Sequence, residues 1–163
     1  DWIFWAALPA LMLHQAEEYV YPGGFREWLN RSVFHSEDSG QPLAKQAALI
    51  VNIPVLWILF AVTAYIGGDI LWFSLPVFSL LVVNAWFHIV MSVVYNDYVP
   101  GSYTSIIVLL PLTLYGYSLL LTTWQTDYAM LMISIMAALI VHIFFISILR
   151  GRLKALQETK GTE

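Results

Sequence analysis

The sequence predicts an all-α fold: a polytopic membrane bundle of five transmembrane helices, with the N-terminus outside and the C-terminus cytoplasmic. Three observations carry this reading. The 163 residues are 60% hydrophobic and only 11% charged, whereas a soluble domain is about 45–50% apolar and 25% charged. The apolar residues gather in runs of membrane length, about 20 residues, and these runs do not alternate polar with apolar as barrel strands do. All 7 Lys and Arg residues then fall in two stretches that five spans put on the same side, which the positive-inside bias makes cytoplasmic. Four or six spans would split them.

The same composition excludes several classes. A pI near 5.4 without a basic patch argues against nucleic-acid binding. The absence of Cys removes disulfides, thiolate nucleophiles and Cys-ligated metal sites. Chemistry must therefore come from His, Asp, Glu, Tyr, Ser, Thr or Asn.

The first span runs from about Trp2 to Tyr21. It lacks the basic start and small-residue cleavage site of a signal peptide, and it holds His14, Glu17 and Glu18, so it reads as a retained span. The chain opens on Asp1 rather than Met, so upstream sequence is expected. Tyr21-Pro22-Gly23-Gly24 ends the span. Phe25, Trp28, Leu29 and Val33 then recur at helical spacing among Arg26, Glu27, Asn30 and Arg31. That pattern predicts a short amphipathic helix in the cytoplasmic interface, with a membrane anchor preferred over a lid. Ser36 to Pro42 reads as a solvated loop that includes Ser39, and His35 as a solvated side chain.

Spans two to five are Gln46 to Ile66, Ile70 to Tyr95, Tyr103 to Trp124 and Tyr128 to Leu149. Their breaks carry turn residues: Gly67-Gly68-Asp69, Asn96 to Gly101, and Gln125-Thr126-Asp127. Pro54, Pro76 and Pro111 read as kinks, and Trp2, Trp72, Tyr95 and Trp124 as interface belts. Residues 1–150 thus form one transmembrane domain, with an interfacial stretch at about 22–44 and a cytoplasmic tail at 151–163. The expected location is the plasma membrane, or the inner membrane of a bacterium.

Ionisable groups inside spans are expensive, at about 2.5–3.5 kcal/mol each, and mark function by default. Span one ends in His14-Gln15-Ala16-Glu17-Glu18. Residues three and four apart share a helix face, so Glu17 and Glu18 flank the azimuth of His14. Asn84 and His88 are four apart in span three. Span direction puts His14, Glu17, Glu18, Asn52, Asn84, His88, Tyr98, Thr104 and His142 in one leaflet, the cytoplasmic one. Asn52 also fits a plain interhelical hydrogen bond, and His142 a core histidine.

His14-x-x-Glu17-Glu18 resembles the signature of the HXXEE-domain family of small multi-pass membrane proteins. Asn84-x-x-x-His88 and the segment Tyr98-Val99-Pro100-Gly101 leading to Thr104 belong to the resemblance. It spans most of the chain. The family has no established activity, and the resemblance implies a membrane enzyme with His and Glu at its centre. His142 lies outside the pattern.

Two enzyme readings follow. In the first, His14, Glu17 or Glu18, and His88 bind one divalent ion, iron, manganese or zinc, with Asn84 or Tyr98 orienting the ligands. His142 is the weakest candidate ligand. Asn52, Tyr98, Pro100, Gly101 and Thr104 would support the site and a lipophilic small-molecule substrate. The absence of a Glu-x-x-His pair favours one ion over two. In the second reading no metal acts: Glu17 or Glu18 is the acid, His88 or His14 the base, and Asn84 a hydrogen-bond donor. Such a site would isomerise or cyclise a lipid or isoprenoid. A haem held by His88 and His142, and a transport or structural role, are the non-enzymatic alternatives. Membrane lipids are the expected surroundings. The oligomeric state is not specified by the sequence.

Overall fold

A computed structural model describes residues 2–38, 40–123 and 126–160 of the chain. Asp1, Ser39, Trp124 and Gln125, each given a reading above, lie outside the described residues. Among the described residues the structure is helical and holds no strand.

Helix α1 is Trp2–Tyr19. Helix α2 starts at Phe25–Trp28 and continues as a π-helical stretch, Leu29–Val33. Helix α3 covers 45–66, with a π-helical stretch at Val51–Val55 that contains Pro54. A 3₁₀ turn, Gly67–Ile70, leads into α4, Leu71–Tyr95. Helix α5 covers 102–123 and carries a third π-helical stretch at Ser105–Leu109, two residues before Pro111. Helix α6 is Tyr128–Lys160. Proline removes a backbone donor and crowds the preceding turn. Two of the three prolines expected to kink helices thus sit in or just after a widened turn.

Three helical stretches are long and apolar enough to cross a membrane: Lys45–Tyr95, Ser102–Thr123 and Tyr128–Thr159. The first contains two of the runs read from the sequence. They are joined at Gly67, whose φ of 46° and ψ of −127° suit glycine alone, and α3 packs back on α4. Helix α1 is 18 residues long, about 27 Å at 1.5 Å per residue. Its polar last turns keep it out of the strongly apolar set. The outer surface is apolar: Tyr65, Trp72, Val93, Ile107, Ile143 and Phe144 are all exposed. Apolar surface on this scale suits lipid, not water.

Helix α1 is central, packing against α3, α4 and the first turns of α5. Ile3, Phe4, Ala7 and Leu11 are buried, one helical turn after another, and meet Phe60, Phe78, Leu81 and Leu109 in the main core. A second apolar cluster gathers Phe25, Leu29, Phe34, Leu43, Val99 and Leu149. The apolar edge of α2 is therefore turned onto the bundle rather than outward as a membrane anchor. Fully buried Asn30 fixes the loop beside it, donating to Leu43 O at 3.2 Å and accepting from Leu43 N at 3.0 Å. The hydroxyl of Tyr95 donates to Ser32 O at 2.7 Å. His35 is exposed, as expected.

Close packing in the main core leaves one position without room for a methyl group. A Cβ at Gly116 would stand 2.6 Å from Cζ of Phe78 and 3.0 Å from Cγ1 of Ile3. Gly116→Ala should therefore lower stability by about 1–3 kcal/mol through overpacking, read as reduced thermal stability in detergent. Unchanged stability would mean that α5 and Phe78 are not so closely apposed.

Candidate functional site

The HQAEE segment forms the last buried turns of α1, where the main core gives way to the second cluster. His14, Glu17 and Glu18 are all buried. The two glutamates diverge from the His14 azimuth, one to each side, and serve different helices.

Glu17 faces the start of α5. Its Oε1 accepts from the Tyr98 hydroxyl at 2.7 Å and the Tyr103 backbone N–H at 3.1 Å. Its Oε2 accepts from the Thr104 backbone N–H at 2.7 Å and the Thr104 hydroxyl at 2.5 Å. The first turn of a helix presents unpaired N–H groups and partial positive charge, so a carboxylate is well placed there. Burial, and then the hydrogen bond to Glu17, push the Tyr98 phenol well above its usual value near 10.

Thr104 hands this anchoring on to His14. Its hydroxyl proton is committed to Glu17, so its oxygen accepts from Nδ1 of His14 at 2.9 Å. The Nδ1–H tautomer of His14 follows, with the lone pair on Nε2. Consistent with that, the Asn84 amide nitrogen donates to Nε2 at 2.8 Å. Glu17, Thr104, His14 and Asn84 form one directional chain across three helices.

Glu18 faces the other way, towards α4. Its Oε1 stands 3.1 Å from Nε2 of His88 and 3.6 Å from Nε2 of His14. His88 is fully buried, yet neither ring nitrogen makes a hydrogen bond. The Glu18 carboxylate is its ion-pair neighbour rather than a hydrogen-bond partner. His14, Glu18 and His88 each offer a ligand atom, and these atoms lie within 4.8 Å of one another, so the three form a group that could hold a metal ion. Glu17 is not in that group.

The histidine pair is walled by apolar groups. The rings of His14 and His88 meet edge to face at 4.7 Å, and Phe25 of α2 packs on His88 at 4.8 Å. Gly101 closes the other side. It has φ of +103°, and a Cβ there would lie 2.6 Å from His88 Cε1 and 2.8 Å from His14 Cε1. Pro100, beside it, is buried in the same turn.

A cavity of about 190 Å³ adjoins the site, bordered by Glu18 and Asn84. Asn52 and His142 also line it. Asn52 donates to the Tyr19 hydroxyl at 3.0 Å and to Ala48 O at 2.9 Å, while His142 Nδ1 bonds to Ala138 O of its own helix at 2.9 Å. Neither Phe25 nor Gln15 is a site residue by sequence reasoning. Gln15 donates to Asn52 O at 2.7 Å and accepts from the Trp57 indole at 2.6 Å. Its signal was its place within the polar turn. Phe25 carried none beyond its amphipathic spacing.

Fold and site together define an all-helical protein with membrane-length apolar helices and a buried His/Glu group. Residues 5–116 match the family described as "Protein of unknown function with HXXEE motif", and the chain belongs to that family. No curated protein and no solved structure matches it.

Two measurements test this geometry. Gly101→Ala combines a left-handed backbone with a clash against both imidazoles, so it should destabilise by at least about 2 kcal/mol, checked by thermal unfolding; a neutral result would remove Gly101 from the site wall. Tyr98→Phe deletes one donor to a buried carboxylate, at about 1–3 kcal/mol. Because folding raises the Tyr98 pKa, its contribution is complete below pH ~10, the unfolded value, and fades as pH rises through the folded one. The stability gap between wild type and Tyr98→Phe should therefore be full at neutral pH and shrink in strong alkali. A gap that grows with pH would contradict the hydrogen bond to Glu17.

Proposed function

We propose that the protein is an integral membrane enzyme that binds one divalent ion, iron, manganese or zinc, and acts on a lipophilic small molecule. In this reading five helices cross the bilayer, the N-terminus is outside, and the site opens to the cytoplasmic leaflet. The grouping of Arg26, Arg31 and Lys45 with the basic residues after Leu149 supports that orientation.

The observation that carries the metal reading is the spacing around Glu18 Oε1. A tetrahedral ion with ligand bonds of about 2.1 Å separates its ligand atoms by about 3.4 Å. The two Nε2 atoms stand 3.1 and 3.6 Å from that oxygen. That spacing, with His88 making no hydrogen bond, suits three residues that would hold one ion together. His14, Glu18 and His88 would be the protein ligands, leaving one position for water or substrate. Glu17 acts through His14: metal-bound histidines usually donate their second N–H to an acceptor that fixes the ring, and Thr104 backed by Glu17 supplies it. Tyr98 holds Glu17 in turn. When bound, the ion would polarise an oxygen of the substrate or activate a water.

One contact favours a second reading. The Asn84 amide occupies the His14 lone pair that an ion would take, so ion binding requires Asn84 to turn away. Without metal, Glu18 is the acid of an isomerase or cyclase acting on a lipid or isoprenoid, His88 the base, and Asn84 the donor that keeps His14 in place.

Metal analysis of detergent-purified protein separates the two. Wild type should carry about one ion per chain, and His14→Ala, Glu18→Gln and His88→Ala should lose it. Glu17→Gln should retain the site with affinity weakened roughly 10–100-fold, the usual cost of losing an outer partner. Folded wild type without bound ion after incubation with iron, manganese and zinc salts would overturn the metal reading in favour of proton chemistry.

A further inference from the structure

The cavity beside Glu18 and Asn84 is not uniformly enclosed. Its α1 and α4 walls include buried Leu11 and Leu81. Phe25 and Leu29 of α2, Leu43 just before α3 and Phe60 of α3 close further sides and are buried, whereas Val51 and Leu56 of α3 and Val141 and Ile146 of α6 also line it and none of these four is buried. Helix α6 packs along α4 and makes no extended contact with α3. The cavity therefore reaches the outer apolar surface along a seam between residues 51–56 and 141–146.

Charge and size restrict what can enter. Glu18 lines the cavity, and no Lys or Arg does. An anionic group next to Glu18 would face like charge in a low-dielectric setting. A neutral hydroxyl or carbonyl has partners there in the Glu18 carboxylate and the Asn84 amide. The volume, about 190 Å³, is somewhat more than the ~150 Å³ that accommodates benzene. It holds one ring or a short alkyl segment, so a longer chain must leave through the seam into the lipid.

We propose that the seam between residues 51–56 and 141–146 is a lateral portal for a neutral single-chain amphiphile, a long-chain or isoprenoid alcohol or ketone. Its polar end meets Glu18 and Asn84, and its tail trails into the bilayer between α3 and α6. This deepens the enzyme reading above and rests on the same site; the seam stands whichever chemistry the His/Glu group performs, while the neutral head group takes Glu18 as an ionised carboxylate.

The test uses the full chain in phosphatidylcholine nanodiscs and a dodecanol probe carrying a mid-chain diazirine. Photolabelling mapped by mass spectrometry should concentrate on residues 51–60 and 141–146 and be competed by unlabelled dodecanol. The corresponding dodecanoic acid probe should label these residues roughly tenfold less. Val51→Trp, which fills the mouth from one wall, and Ile146→Trp, from the other, should each reduce competed labelling roughly tenfold, a difference of about 1.4 kcal/mol. Both variants should keep wild-type helicity by circular dichroism. Labelling spread without competition over outer residues such as Trp72 and Ile107, or competed labelling that survives both Trp variants, would overturn the portal. Equal labelling by alcohol and acid would overturn the neutral head group. Competed labelling in a protein that binds no ion sinks the metal reading and leaves the portal; a bound ion without competed labelling does the reverse.

Discussion

Two carboxylates buried on one helical turn are the constraint around which this structure is arranged. A buried carboxylate without partners costs several kcal/mol, and the turn that carries Glu17 and Glu18 also carries His14. Among the described residues no lysine or arginine pairs with them. Each glutamate instead recruits a different helix. Glu17 takes the N-terminal amides of α5 with Tyr98 and Thr104, and Glu18 takes His88 of α4. Helix α1 is pinned to two neighbours by the residues that would otherwise oppose its burial. That explains why the most polar helix end lies innermost while the apolar residues of α6 face outward.

The division of labour between the glutamates also orders the site. A carboxylate with four donors is held firmly and has little capacity left for other partners; this is Glu17. A carboxylate whose main neighbours are two imidazole nitrogens, neither making a hydrogen bond to it, keeps acceptor capacity; this is Glu18. Gly101 belongs to the same logic. Its left-handed φ turns the chain into α5 so that the amides of Tyr103 and Thr104 face Glu17, and its missing side chain leaves room for both histidine rings. One glycine thus serves the turn, the anion contact and the imidazole packing together.

Much of this was legible in the sequence, because helical geometry fixes azimuths. Spacings of three and four residues predicted that Glu17 and Glu18 flank His14 and that Asn84 and His88 share a face, and the structure has both. Periodicity does not say which neighbour each azimuth meets. The two glutamates were therefore interchangeable on paper, and only the packing of α4 and α5 on opposite sides of α1 separates them. The α2 segment misled for a related reason. Phe25, Trp28 and Leu29 make an apolar edge that fits a membrane surface or a protein surface equally well. The outcome turned on Asn30 and Tyr95, whose hydrogen bonds to the loop and to Ser32 tie the edge inward. The joint at Gly67 was readable as a turn because Gly67-Gly68-Asp69 interrupts an apolar run. The widened turns at 51–55 and 105–109 were flagged only as prolines.

The direction of the hydrogen-bond chain bears on what the site can do. Because Thr104 must donate to Glu17, it accepts from His14, and the His14 lone pair is driven onto Nε2, on the side of Glu18 and Asn84. Reversing any link would turn that lone pair away from the cavity. The other tautomer would set lone pair against lone pair at Thr104 and donor against donor at Asn84, so these partners hold His14 in one form. A site that presents a basic nitrogen beside a carboxylate, to an ion or to a proton, needs that form. The chain also separates the two adjacent glutamates: one carboxylate sets the histidine, and the other stands beside His14 and His88 at the border of the cavity. Asn84 then stands as the exchangeable partner, satisfying Nε2 when nothing else does and sharing with Glu18 the border of the cavity.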